Sequence, residues 1–239
     1  YNAGRANGGH SDHVGVHEQA DSGMYYIGVP LPFGYMSSDQ LRGLADVADT
    51  YGDGSTRLTV WQNLLIAGIP EAKLDDAKAA LEALGMRWSA SYARAGTIAC
   101  TGNFGCKFSN SDTKSHAGML VDHLEDQLEL DQPLNIHLTG CPNSCAQHKI
   151  GDIGLLGTGV ETEDEEMVEG YDLFVGGGFG GQRGLGEKLF AKVMAPDIPP
   201  TVERVMRAYQ ANRQSADETF QDFVSRQGVD GVKSLVEAA

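Results

Sequence analysis

Four residues in this chain could together hold a metal: Cys100, Cys106, Cys141 and Cys145, the only cysteines it has. The spacing is Cys-x5-Cys, then 34 residues, then Cys-x3-Cys. Secreted proteins more often scatter cysteines as disulfide staples. Two tight pairs read better as metal ligands in a reducing compartment. A structural zinc site usually spaces its paired cysteines two to four residues apart, so x5 is awkward for zinc. A cubane iron–sulfur cluster needs four thiolates converging from several directions. Short loops at the ends of neighbouring strands can deliver them. The segments CTGNFGC and TGCPNSC are rich in Gly, Asn, Ser and Pro. Their glycines let backbone approach a cluster, and Thr101, Asn103, Asn143 and Ser144 carry groups able to bond its sulfurs. Spacing alone favours iron–sulfur and leaves zinc, two disulfides or four buried thiols open.

Other residues carry weaker signals. Gly176–Gly181 (GGGFGG) matches a dinucleotide-loop pattern but lacks the helix that must open at once, so it reads as a tight packing turn. His10, His13 and His17 have metal-like spacing but sit in a Gly/Asn/Ser/His-rich segment and read as solvated or packed residues. His137 alternates on a strand and reads as a satisfied core residue or as one that supports a ligand from behind. His148, just past the last cysteine, titrates near neutral pH and could relay a proton. Glu161, Glu163, Asp164, Glu165, Glu166 and Glu169 read as a solvated loop between strands.

The elements that must position these residues follow from periodicity. Residues 24–31 read as a strand, then a helix capped by Ser37 or Ser38 turns Leu41, Leu44, Ala45, Val47 and Ala48 inward. Residues 56–61 alternate as a strand and 64–67 form a shorter one. Pro70 opens a helix with Leu74, Ala77, Leu81 and Leu84 on one face, ended by Gly85. Residues 96–99 and 134–139 are strands running into the cysteine pairs. Residues 113–130 are a helix burying Met119, Leu120, His123, Leu124 and Leu128. Strands at 150–157 and 171–176 flank the acidic loop, a helical pattern starts near Gly186, and two helices separated by Gly228 form the tail.

Composition limits the function. With a net charge of −15 the chain is a poor partner for nucleic acid or an anionic membrane. No apolar run approaches the ~20 residues that span a bilayer. No signal-peptide pattern appears, which points to the cytoplasm, and the chain opens on Tyr1 in a way that suggests a piece of a longer polypeptide.

Cys100-Thr-Gly-Asn-Phe-Gly-Cys106 with Thr139-Gly-Cys-Pro-Asn-Ser-Cys145 resembles the siroheme-dependent nitrite and sulfite reductases. So do the runs Arg57–Asn63, Cys145–Gly154 and His13–His17. The resemblance implies an α+β architecture for a second half-enzyme. A linker at 1–20 would lead into a small ferredoxin-like lobe at 21–90. A larger α/β lobe carrying the cluster would span 91–198, with C-terminal helices at 199–239. It implies a 4Fe–4S cluster on the four cysteines and a siroheme whose iron shares Cys145, making Cys145 the catalytic ligand. Arg57 and Gln62 would face the cofactor, an arginine there pairing with a siroheme carboxylate. The implied reaction is six-electron reduction of nitrite to ammonia, with sulfite to sulfide as the alternative. A cluster-bearing electron-transfer module without siroheme is the alternative of another class. Implied partners are an N-terminal half, a ferredoxin or flavoprotein donor and a small inorganic anion. Cys-Thr-Gly in the first pair, the 34-residue gap and Gly-Asp-Ile-Gly-Leu lean to nitrite.

Overall fold

The computed structural model describes residues 13–181 and 183–238. The readings of residues 1–12 as linker and of His10 as an ordinary side chain lie outside these. The described chain divides into two units, residues 13–95 and 96–238.

The smaller unit contains β1 (Gly15–Glu18), β2 (Met24–Val29), α1 (Ser38–Tyr51), β3 (Thr56–Leu58), β4 (Leu64–Pro70) and α2 (Leu74–Ala83), before α3 (Tyr92–Gly96) leads out of it. Its sheet is antiparallel in the order β1-β2-β4-β3. Helix α1 starts where the sequence expects. Ser37 Oγ accepts from the Gln40 N–H at 3.1 Å, and Gln40 Oε1 accepts from the Ser37 N–H at 2.9 Å. This reciprocal cap satisfies two donors that the first turn leaves open. Ile27, Leu44, Ile66, Ile69 and Leu81 are fully buried and form the core between the helices and the sheet. Each such side chain contributes roughly 1.5–3 kcal/mol of burial.

Four details differ from the sequence reading, the first being that Pro70 ends β4 and a 3-10 turn at Glu71–Lys73 precedes α2. Gly15–Glu18, read as linker, is a strand pairing with Tyr25–Gly28. Three half-buried residues, one a glycine, and an exposed glutamate give too weak an alternation to announce it. The strand expected at 56–61 stops at Leu58. It pairs only with β4, and a turn closed by the Gln62 N–H on Thr59 O follows it. Leu58 and Val60 are therefore exposed, as is Leu41 on the outer face of α1.

The larger unit contains β5 (Thr97–Ala99), α4 (Thr113–Gln127), β6 (Ile136–Thr139), β7 (Ile153–Glu161), β8 (Met167–Val175), β9 (Glu187–Met194), α5 (Ile198–Asn212) and α6 (Phe220–Ala238). Its sheet runs β5-β6-β7-β8-β9. The first three strands are parallel and the last three pair antiparallel. The strand β9 corrects the helical reading near Gly186. Its burial follows neither a clean alternation nor a helical stripe, because it is an edge strand with register shifts against β8. Before it, Gly178 and Gly184 bridge each other, so the glycine run closes a turn into a strand and opens no helix. Met119 is 49% exposed, not inward, while Leu120, Val121 and Leu124 fill the inner face of α4. The C-terminal helices pack into this unit, α5 against α4 and α6 against β9 and β8, and Gly228 breaks α6 at φ 69°.

Candidate metal centre

The parallel strands β5 and β6 lie side by side, and each ends in a cysteine loop. Cys100 follows β5 directly, and its N–H extends the ladder by one bond to Leu138 O at 3.0 Å. Beyond the end of β6, the Gly140 N–H donates to Cys100 Sγ at 3.2 Å. The chain next to Cys141 is thus already bonded to the first sulfur of the other pair. Ends of parallel strands are where open α/β sheets gather sites, because the chain turns away there and leaves its polar groups free.

Two glycines permit this approach. A Cβ on Gly140 would stand 1.8 Å from Ser109 Oγ. Gly102 adopts φ +72°, with Thr113 N 2.9 Å from where a Cβ would be. Its carbonyl accepts the Cys106 N–H at 2.9 Å, which folds the five-residue insert into a compact turn. The Asn110 N–H then donates to Gly140 O at 2.7 Å, tying the first loop to the second.

In the second loop the Ser144 N–H bonds to Cys141 O at 3.1 Å and the Gln147 N–H to Ser144 O at 2.8 Å. Ser144 and Gln147 both sit at φ +56°, a costly conformation for residues with a Cβ. Two contacts hold them there. Ser144 Oγ lies 2.9 Å from His148 Nδ1, and the buried Thr139 Oγ1 accepts the Ala146 N–H at 3.2 Å. Burial, with Lys149 beside it, holds the His148 imidazole below its ordinary range, so it favours the neutral form that can bond Ser144 through one ring nitrogen. His137 Nδ1 lies 3.2 Å from Gln147 O, which makes it a prop of the same loop.

Helix α4 begins beside Cys100: Thr113 Oγ1 donates to Cys100 O at 2.8 Å and stands 3.6 Å from its Sγ. Lys114 Nζ donates to Ala99 O at 3.1 Å, and burial lowers its pKa, opposed by the attraction of Cys100. Thr113, Lys114 and Asn110 escape the sequence reading. The clue available was that Thr113 is the first residue of the helix following the cysteine pair.

Cys141 is buried, Cys100 and Cys106 are half-buried, and Cys145 is exposed. Thr101 and Asn143 lie exposed in the same loops, and Asn103 gives its side-chain amide to Glu169 at 2.6 Å. Arg57, exposed on β3, and Gln62, in the turn after it, belong to the smaller unit. Among the described residues no three His, Cys, Asp or Glu side chains converge as ligands of a single ion would. A four-iron cluster asks for something else, one thiolate at each of four separated corners. Four cysteines on two neighbouring loops, with a backbone N–H on one sulfur and glycine where a Cβ would obstruct, supply the number and kind of ligand it needs.

A family profile described as the nitrite and sulphite reductase 4Fe-4S domain matches residues 93–239, and the nitrite/sulfite reductase ferredoxin-like half domain matches residues 17–84. The chain belongs to the nitrite and sulphite reductase family. Within that family it is 42% identical to the ferredoxin–nitrite reductase of Synechococcus elongatus over 197 residues, 82% of this chain and 38% of that protein. It is 37% identical to sulfite reductase [ferredoxin] 1 of Mycolicibacterium paratuberculosis, covering 90% of this chain and 40% of that one. The solved structure of the Mycobacterium tuberculosis NirA protein superposes with a TM-score of 0.85 at 36% identity, covering 92% of this chain and 41% of that chain. The chain therefore spans about two fifths of the length of these relatives. Membership also accounts for the α+β pairing of a ferredoxin-like unit with a cluster-bearing one.

Proposed function

We propose that this chain is the cofactor-binding part of a siroheme-dependent oxidoreductase that reduces nitrite to ammonia. The observation that carries the reading is the pair of cysteine loops at the ends of β5 and β6, with the Gly140 N–H on Cys100 Sγ. In it Cys100, Cys106, Cys141 and Cys145 would hold a 4Fe–4S cluster, and Cys145, the exposed one of the four, would also serve the siroheme iron. When bound, the pair would relay electrons from the donor and offer the iron position at which a small anion is reduced. The chain's own residues do the rest. The strand ends fix the loops, Gly140 donates to one sulfur, and Thr113 at the start of α4 holds the Cys100 carbonyl. His148 holds Ser144, and so the bend that presents Cys145. Thr101 and Asn143, exposed in the cysteine loops, are assigned to the cluster sulfurs, and Arg57 and Gln62 to the siroheme.

Sulfite reduction is the second reading, favoured by relatives of both names at similar identity. The names of these relatives support ferredoxin as the donor. We assign an N-terminal half as the partner completing the anion site, and the cytoplasm as the location. Among the described residues no helix is long and apolar enough to cross a membrane.

The test is an absorption spectrum of the anaerobically purified holoprotein with iron, acid-labile sulfide and zinc analysis, followed by assays on nitrite and sulfite. Siroheme bands with about five irons per chain support the shared-cysteine pair, and a higher kcat/KM for nitrite assigns the substrate. Cys145→Ser is expected to lose the siroheme bands. Zinc without iron, or iron without siroheme, overturns the reductase reading.

A further inference from the structure

Glu169 stands last in the acidic run, yet it behaves unlike the others. It lies within β8, opposite Gly159, while Glu163, Asp164 and Glu165 occupy the exposed hairpin tip. One carboxylate oxygen accepts from Asn103 Nδ2 at 2.6 Å, the other from the Asp112 N–H at 2.8 Å. Asn103 sits between Cys100 and Cys106. Asp112 caps helix α4, whose first residue, Thr113, touches Cys100. The two bonds therefore grip the cysteine loop on both sides of Cys106. The neighbouring residues of β8 grip the same segment. Gly170 O accepts from Ser111 Oγ at 3.1 Å, and Tyr171 Oη lies 2.8 Å from His116 Nδ1. His116 Nε2 in turn stands 3.7 Å from Glu169. Tyr171 is fully buried, and burial raises its pKa, so its hydroxyl keeps its proton and anchors this contact.

We propose that Glu169 is a positioning residue for the iron–sulfur centre, a carboxylate from the β7–β8 hairpin that holds the Cys100–Cys106 loop in ligand geometry. The inference rests on the iron–sulfur reading of the cysteines. A carboxylate suits the task because it is acceptor-only, with two oxygens for two N–H donors converging from one loop, and bonds to an ionised acceptor are the stronger kind. Glutamine at this position keeps one acceptor and turns an N–H towards the other donor. Alanine keeps neither. The carboxylate is also a fixed negative charge on the loop, which opposes the arrival of a further electron at the cluster.

The experiment compares wild type, Glu169→Gln, Glu169→Ala and the hairpin-tip control Asp164→Asn as anaerobically purified holoproteins. The measurements are iron and sulfide content, the rate of cluster loss to a chelator, and the cluster's midpoint potential. Apo-protein melting is measured alongside. The expected result is cluster loss about tenfold faster in Glu169→Ala, the loss of two charge-assisted bonds. Glu169→Gln falls between it and wild type. The midpoint potential rises in both Glu169 variants. Asp164→Asn matches wild type in every measurement, and apo-protein melting barely moves in any variant. Equal cluster retention and an unchanged potential in Glu169→Ala overturn the proposal, as does apo-protein melting that falls in step with cluster loss. Wild type that purifies without iron and sulfide removes the iron–sulfur reading itself, and this inference with it.

Discussion

At Gly140 one missing methyl group bears directly on the ligands. Its N–H donates to Cys100 Sγ, its carbonyl accepts from Asn110, and Ser109 Oγ occupies the space a side chain would need. Ser109 cannot swing aside freely, because its hydroxyl donates to Ser111 O at 2.8 Å. Alanine at 140 must therefore displace the first cysteine loop or tilt the second. Overpacking of this kind costs about 1–3 kcal/mol, and here the strain falls on the geometry of the ligands. Gly140→Ala is expected to purify with less than about half the wild-type iron and sulfide. The double variant G140A/S109G, which removes the obstructing hydroxymethyl group, is expected to recover most of it. Recovery separates a local clash from a general intolerance of the loop. The requirement for glycine was readable only in part. Thr-Gly-Cys marks a turn beside a ligand, but Ser109, the residue that forbids a Cβ, is named by no spacing rule.

The elements show the same division between what a local pattern reveals and what partners decide. Helix α1, the core strands and the breaks at Gly85 and Gly228 were legible, because caps, apolar periodicity and glycine punctuation are written in consecutive residues. Strand β9 was not, since an edge strand with register shifts buries its residues on no fixed period. Nor was the separate role of Glu169, which depends on its place in β8 and not on its acidic neighbours. The junction of α5 and α6 was legible as helices but not as an ion-pair lock. Glu218 accepts from Arg226 Nε at 2.7 Å and Nη2 at 3.0 Å, and its backbone carbonyl accepts from Tyr209 Oη. The guanidinium holds the Glu218 carboxyl below its ordinary value of 4.5. A depressed folded-state pKa means that the unfolded chain takes up protons first as pH falls. The stabilisation is therefore complete above about pH 4.5 and is lost as pH drops through the lower folded value. Glu218→Gln removes that titration. The prediction is that urea midpoints measured from pH 6 down to pH 3 fall less steeply for Glu218→Gln than for wild type. Parallel curves would mean that the pair contributes nothing to acid sensitivity.

Taken as a whole, the molecule keeps all its sulfur chemistry in one unit. The four cysteines, the helix terminus beside Cys100 and the clamp from β8 lie in residues 96–238, while residues 13–95 have a core of their own built on Ile27, Leu44 and Ile66. Ligands that bind only the folded state stabilise what they touch, by an amount set by affinity. The two loops need that help more than the rest. They carry Ser144 and Gln147 at positive φ and join at few points, of which Asn110 to Gly140 is the shortest. Removing the cluster should thus raise local opening there before it affects strands whose bonds are continuous, since backbone openings span a wide range of free energies within one protein. Hydrogen exchange on anaerobic holoprotein and on chelator-treated protein measures this. Amides of residues 100–112 and 139–150 are expected to exchange at least about tenfold faster without the cluster. Those of β2 and β4 should keep their protection, because no cysteine ligand enters that core. Uniform deprotection of both units would show instead that the cluster sets the stability of the entire chain, and unchanged loops would show that strand ends and glycines alone suffice to hold the sulfurs in place.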